Sequence, residues 1–200
     1  MDFDDPLRGL TLVTAPTWEP VTLAQAKRHV QISTDDHQHD VELSALITAA
    51  REQFEHETGV ICADSAWSFT CDEWPECAFE LHARPIQSVT SITYYDTSSV
   101  QQTLASSVYR LDASYATPQI GLKYNQSWPS SRGHEGDIVV TFQAGYATPS
   151  AVPGRVMQAL LLLIGHWFDQ RNAVNIGNIV NTVPLSYSHL VAGLQRSSYP

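Results

Sequence analysis

Positive charge is scarce in this chain. Eleven lysines and arginines stand against 21 aspartates and glutamates in 200 residues, a formal net charge of −10. Gripping phosphates requires clustered Lys and Arg, so a basic nucleic-acid groove is excluded. Cysteine is scarce as well. Cys62, Cys71 and Cys77 form an odd set with no C-x-x-C pair, which excludes a disulfide framework and points to reduced, partly buried thiols. A zinc site would need His82 or nearby acids to complete it, and the spacing matches no zinc pattern. Long apolar runs are missing: the longest, residues 159–165, falls far short of the roughly 20 that span a bilayer. The opening Met1-Asp-Phe-Asp-Asp5 has neither the basic nor the apolar region of a signal peptide, so the expectation is a soluble protein made inside a cell. No G-x-S-x-G, Walker loop or dinucleotide fingerprint occurs.

What is present is enough apolar material for a core: 43% of residues are hydrophobic and 10% aromatic, which excludes wholesale disorder. Charge is unevenly spread. Residues 1–80 hold 16 acids and 4 bases, residues 81–200 hold 5 acids and 7 bases. Thr22-Leu-Ala-Gln25 is a capping box that opens a short helix over 22–30. A polar turn, residues 33–39, leads to a helix over 40–58, in which Leu43, Leu46, Ile47, Ala50 and Phe54 recur at helical spacing and Gly59 follows as a stop. Glu42, Arg51, Glu52, Glu55 and Glu57 are expected largely on its other faces.

From residue 60 to 145 the pattern turns β-rich, with strands expected near 67–71, 78–82, 88–95, 108–111, 120–124 and 138–144. No helix of crossover length separates them, so the sheet is expected to be antiparallel. Residues 1–20, with Pro16 and Pro20, read as an extended lead-in. Pro153 begins a strongly apolar helix over 153–171, and a weaker helix covers 185–194. The expected class is therefore α+β, a helical core (helices near 22–30, 40–58, 153–171 and 185–194) with an inserted antiparallel β-rich subdomain. Residues 1–59 with 149–200 form the helical core and a C-terminal arm, and residues 60–148 form the insertion. Leu46, Ile47, Phe54, Leu160, Leu163 and Trp167 are expected to be buried together.

Catalytic signals are thin. His37-Gln-His39-Asp40 resembles a metal cluster on paper but lies in a solvated loop without a second ligand pair. His166, inside an apolar helix, reads as a packed histidine. Glu73 and Glu76 flank Trp74-Pro75 and form the one carboxylate pair that would suit a small hydrolase. Gly133-His-Glu-Gly136 is a glycine-bounded turn with no phosphate-binding residue behind it. No catalytic residue, metal or cofactor is expected.

The order of segments resembles a known family. Val21-Thr-Leu-Ala-Gln-Ala-Lys-Arg-His-Val30, an acidic loop, Leu46-Ile-Thr-Ala-Ala-Arg51 with Glu57-Thr-Gly59, then Val152-Pro153, residues 156–163, His166-Trp-Phe-Asp-Gln-Arg171 and Val183-Pro-Leu185 together resemble the head–tail connector (adaptor, head-completion) proteins of tailed bacteriophages. The long form with a β-rich insertion is the nearest subgroup. The same adaptors occur in prophages and gene transfer agents. The resemblance implies a virion protein, made in the host cytoplasm, that forms a ring, typically of twelve copies, at the head–tail interface. Its partners would be further copies of itself, the portal above and a stopper or tail terminator below. DNA would pass through the channel without sequence-specific binding, and no membrane is involved. A small hydrolase and a monomeric virion accessory protein are the alternatives.

Three sets of residues follow as candidates. Asp35, Asp36, Asp40 and Glu42 are expected to line an acidic channel, on the strength of the charge asymmetry. Tyr187, Leu190, Val191 and Leu194, with Arg196, are expected to form a portal-docking arm beyond a polar segment at 172–183, their own bundle being the other place for this stripe. Tyr95 and Tyr109 are expected as subunit contacts, with packing inside the β-rich region as the competing role for the aromatics there, Tyr94 and Trp128 included.

Overall fold

The computed structural model describes residues 9–114, 117–170 and 185–194. Among the described residues four α-helices are present, α1 (Leu23–His29), α2 (Asp40–Thr58), α3 (Gly154–Asp169) and α4 (Leu185–Ala192). The capping box forms as expected: the Thr22 hydroxyl accepts from the Gln25 amide at 3.2 Å, and the Gln25 side chain accepts from the Thr22 amide at 2.8 Å. Gly59 ends α2 in the left-handed region, φ 68°, its N–H donating to the Glu55 carbonyl. That conformation is accessible to glycine at little cost.

The apolar stripes meet in one helical core. Leu43, Ile47, Ala50 and Phe54 of α2 pack with Val156, Ala159, Leu160, Leu163 and Ile164 of α3, and Tyr187 and Val191 of α4 complete the cluster. Leu46 and Trp167 sit at its margin, partly exposed rather than fully enclosed. No described helix is long and apolar enough to cross a membrane.

Among the described residues eight strands form two antiparallel sheets: β1 (Leu10–Thr14), β2 (Ser65–Cys71), β3 (Ala78–Glu80), β4 (Ile86–Tyr95), β5 (Gln101–Thr103), β6 (Tyr109–Asp112), β7 (Gln119–Leu122) and β8 (Ile138–Ala144). The larger sheet runs β1-β2-β8-β4-β5 and the smaller β3-β7-β6. Along β8, Ile138, Val140, Phe142 and Ala144 are buried while Val139, Thr141 and Gln143 are half-exposed, the period-two signature of a sheet with one covered face. The covered face packs on the smaller sheet through Phe79, Tyr109 and Ile120.

Two strands went unanticipated. The lead-in forms β1, which pairs antiparallel with β2, Leu10 opposite Phe69 and Leu12 opposite Trp67, with a bulge between Leu12 and Thr14. The polar Gln101-Gln102-Thr103 forms β5 on the far edge, against Thr93–Tyr95 of β4. Leu10–Thr14 alternates leucine with β-branched residues, a readable strand signal, whereas Gln101–Thr103 has none of its own and is ordered by pairing with β4.

The two cores are separate clusters joined by a short extended segment. Val60 and Cys62 point into the helical core, and Ile61 between them points into the β core. The backbone here is tied to Arg84, with Ile61 N–H donating to the Arg84 carbonyl at 2.8 Å and Arg84 N–H to the Gly59 carbonyl at 2.9 Å. Gly145 packs against the same region at φ 101°, where any Cβ would collide with the Ala63 carbonyl.

Candidate functional site

The acidic turn between α1 and α2 is held by an ion-pair cluster. Lys27, at the end of α1, is almost fully buried; its Nζ pairs with Asp40 at the start of α2 and donates to the Thr34 carbonyl at 3.1 Å. His37 Nδ1 lies 2.7 Å from the other Asp40 oxygen. The Lys27 hydrogen bond, then that of His37, holds the Asp40 carboxyl below the ordinary carboxylate range. Asp40 also lies in the first turn of α2, where the helix dipole favours an anion. One residue before Asp40, His39 Nδ1 is 3.1 Å from Glu42 and the His39 ring meets Phe168 of α3 edge-on, centroids 5.4 Å apart. Asp36 accepts from the Gln38 amide at 3.0 Å, and Asp35 is exposed.

The four candidate channel acids therefore share one turn but not one state. Asp40 is balanced by Lys27, Glu42 faces a histidine, Asp35 is exposed, and the half-buried Asp36 caps the turn through the Gln38 amide. Among the described residues no group of three or more His, Cys, Asp and Glu is arranged to hold a metal. Glu73 and Glu76 are both exposed on the turn between β2 and β3.

A second cluster escaped the sequence reading. Arg51 and Glu55, expected largely outside, are buried because the segment carrying Glu19 and the turn at Cys62 cover that side of α2. Arg51 Nε donates to Glu19 and Arg51 Nη1 to Glu55, each at 2.9 Å, and the second Glu55 oxygen accepts from the Cys62 amide at 2.7 Å. Burial pushes the Glu55 carboxyl up to about 7 against the opposing pull of Arg51. Their four-residue separation was the available signal: an i, i+4 Arg–Glu pair on a helix face. Nothing local showed that the face would be covered.

The arm residues divide between the bundle and its margin. Tyr187 and Val191 are each 2% exposed and inside the helical core. The Tyr187 hydroxyl donates to Glu57 Oε2 at 2.6 Å, and Arg155 donates to the His189 carbonyl at 3.0 Å. Half of the stripe is thus enclosed in the chain's own bundle, because a short helix lying on α3 buries it at once. Leu190 and Leu194 remain partly exposed. Arg196 and the whole of the polar segment at 172–183 lie outside the described residues.

Of the two candidate contact tyrosines, Tyr109 is 8% exposed and fills the β core, so its ring is not a free contact surface. Tyr95 is partly exposed, with the Arg132 guanidinium 4.7 Å above its ring. Arg132 in turn binds the buried Asp137, which also accepts from the His134 amide at 2.8 Å. Tyr94 and Trp128 belong to an aromatic cluster in which Trp74 stacks on Trp128 at 4.9 Å.

No family model and no curated protein matches the chain. Solved structures do. A chain in the neck of an empty GTA particle, computed with C6 symmetry, superposes with TM-score 0.79 at 21% identity, covering 96% of this chain and 97% of that one. A chain in the virion of a native gene transfer agent (GTA) particle gives 0.80 over the same shares at the same identity. Another, in the neck of a native GTA particle computed with C12 symmetry, gives 0.71. The chain has the fold found in these neck and virion structures. The likeness runs end to end, so it includes both the helical core and the paired sheets.

Proposed function

We propose that this chain is a structural, non-enzymatic connector of a phage-like particle, and that it belongs to the virion, at the head–tail neck. The observation that carries this reading is the extent of the likeness: 96% of this chain aligns with 97% of a chain from a particle neck. A shared submodule would leave one of the two chains partly unmatched. The segment order quoted above points the same way by an independent route.

In this reading twelve copies form a ring beneath the portal, extend the DNA channel and seat the next neck or tail protein. Such a ring carries roughly 120 negative charges, at −10 per copy. Like charge on the wall keeps phosphates from adhering and lets DNA slide. Screening limits the effect to about 8 Å at physiological salt, so only wall residues act. The exposure of Asp35, with the half-buried Asp36 beside it, supports their place on that wall; Asp40 is largely compensated by Lys27. Portal contact falls to Leu190 of α4 and Leu194 just beyond it, which pack at the margin of the helical core and are still partly exposed.

The test is co-assembly. The purified chain is mixed with portal rings, sedimented through a gradient and viewed by negative-stain electron microscopy. A ring stacked coaxially on one end of the portal is the expected outcome. A chain that stays monomeric beside portal is instead an accessory protein. A turnover lost in Glu73→Ala or Glu76→Ala restores the hydrolase reading.

A further inference from the structure

The five-stranded sheet carries no charge. None of the residues in β1, β2, β8, β4 and β5 is Asp, Glu, Lys, Arg or His, although the chain as a whole stands at −10. Its outer face is polar but neutral: Thr70, Val139, Thr93 and Thr103 follow one another in register across four strands. Among the described residues no helix is packed along that face.

Both ends of this sheet are open. β1 and β5 are its edge strands, and each has a row of backbone groups without a strand partner among the described residues. Edge strands are ordinarily blunted by lysine, proline, an inward charge, a bulge or shortness; neither Leu10–Thr14 nor Gln101–Thr103 contains any of the first three, and what protection there is comes from the bulge between Leu12 and Thr14 and from the three-residue length of β5. β1 instead exposes apolar side chains, Leu12 at 45% and Val13 at 55%. The uncharged surroundings extend beyond the strands, since no charge occurs in residues 9–18 or 97–109.

We infer that the two open edges of the neutral sheet are where copies of this chain meet, β1 of one copy lying along β5 of the next. The inference rests on the ring proposed above. Two copies that each carry −10 repel, and the contact of lowest electrostatic cost joins neutral surfaces. A ring also needs two different surfaces on each copy, used head to tail, and one sheet with two dissimilar open edges supplies both. The like-folded neck chains come from particles computed with C6 and C12 symmetry, which such a contact can generate. Pairing of five residues against three is weak alone, but ring closure makes each contact effectively intramolecular.

The test places one charge on each edge. Leu12→Lys, Gln102→Glu and the Leu12→Lys/Gln102→Glu double variant are compared with the native chain by native mass spectrometry, alone and with portal rings. Each single variant should raise the concentration needed for ring assembly about tenfold or more, and the double variant, which juxtaposes opposite charges between copies, should recover most of it. Urea midpoints check that each variant folds; if Leu12→Lys does not, Val13→Lys, at the more exposed neighbour, takes its place. Native rings that assemble unchanged in both single variants overturn the edge contact and leave the ring standing. Loss in both without recovery in the double variant overturns the β1-to-β5 pairing. A native chain that forms no ring with or without portal overturns the ring itself.

Discussion

Replacing Tyr187 by alanine and, separately, by phenylalanine tests whether α4 is a fixed part of the helical core or an arm waiting for a partner. Tyr187 is buried in the same cluster as α2 and α3, and its hydroxyl reaches Glu57 across 2.6 Å. An aromatic ring truncated to alanine in a closed core costs about 3–5 kcal/mol, the transfer free energy plus the residual cavity. Phenylalanine keeps the ring and removes only the hydrogen bond. Glu57 is partly exposed and can take up water in exchange, so that change should cost about 1–2 kcal/mol, toward the lower end for a bond to a charged group. In a chain of this size 1 kcal/mol shifts the melting temperature by about 2–4 °C. Tyr187→Ala should therefore melt about 6–20 °C lower and Tyr187→Phe about 2–8 °C lower. Urea denaturation and calorimetry of the free protein measure both. An arm that packs only on a partner predicts no change in the free protein. A Tyr187→Ala midpoint within about 0.5 kcal/mol of the native chain would refute the docking described here.

Three further outcomes follow from particular contacts. Leu163, 1% exposed between α2 and α3, should lose about 2–5 kcal/mol on substitution by alanine, read from the urea midpoint; less than about 0.5 kcal/mol would mean that α3 is not enclosed. Glu55, raised from 4.5 to about 7 by burial, binds its proton more tightly folded than unfolded, so its contribution is complete below pH 4.5 and is lost as pH rises through about 7. Native stability should accordingly fall across that window and Glu55→Gln should flatten the fall, as urea midpoints at pH 5 and pH 8 would show. Finally, Asp35→Lys with Asp36→Lys should leave ring assembly intact but make DNA adhere to the ring in a manner abolished by added salt; DNA passage unaltered at low salt removes these two residues from the channel wall.

Much of the backbone was readable locally. The Thr22–Gln25 capping box and Gly59 mark helix ends through contacts within four residues. The Leu43, Ile47, Ala50 and Phe54 stripe and the alternation from Ile138 to Ala144 state which side is apolar. These signals depend on the chain's own periodicity, so they survive without knowledge of the partners. The places of β1, β5, Arg51, Glu55, Tyr109 and Tyr187 were decided elsewhere. Leu10–Thr14 becomes a strand because β2, more than fifty residues on, offers it a partner. Arg51 and Glu55 are buried because Glu19 and Cys62 arrive over them. Tyr187 is core because α3 and Glu57 are there to receive it. Periodicity shows that a side chain has an apolar or a polar side to offer. Only contacts between segments distant in sequence determine which of those sides is covered, since the free energy of covering belongs to both surfaces and is encoded in neither alone.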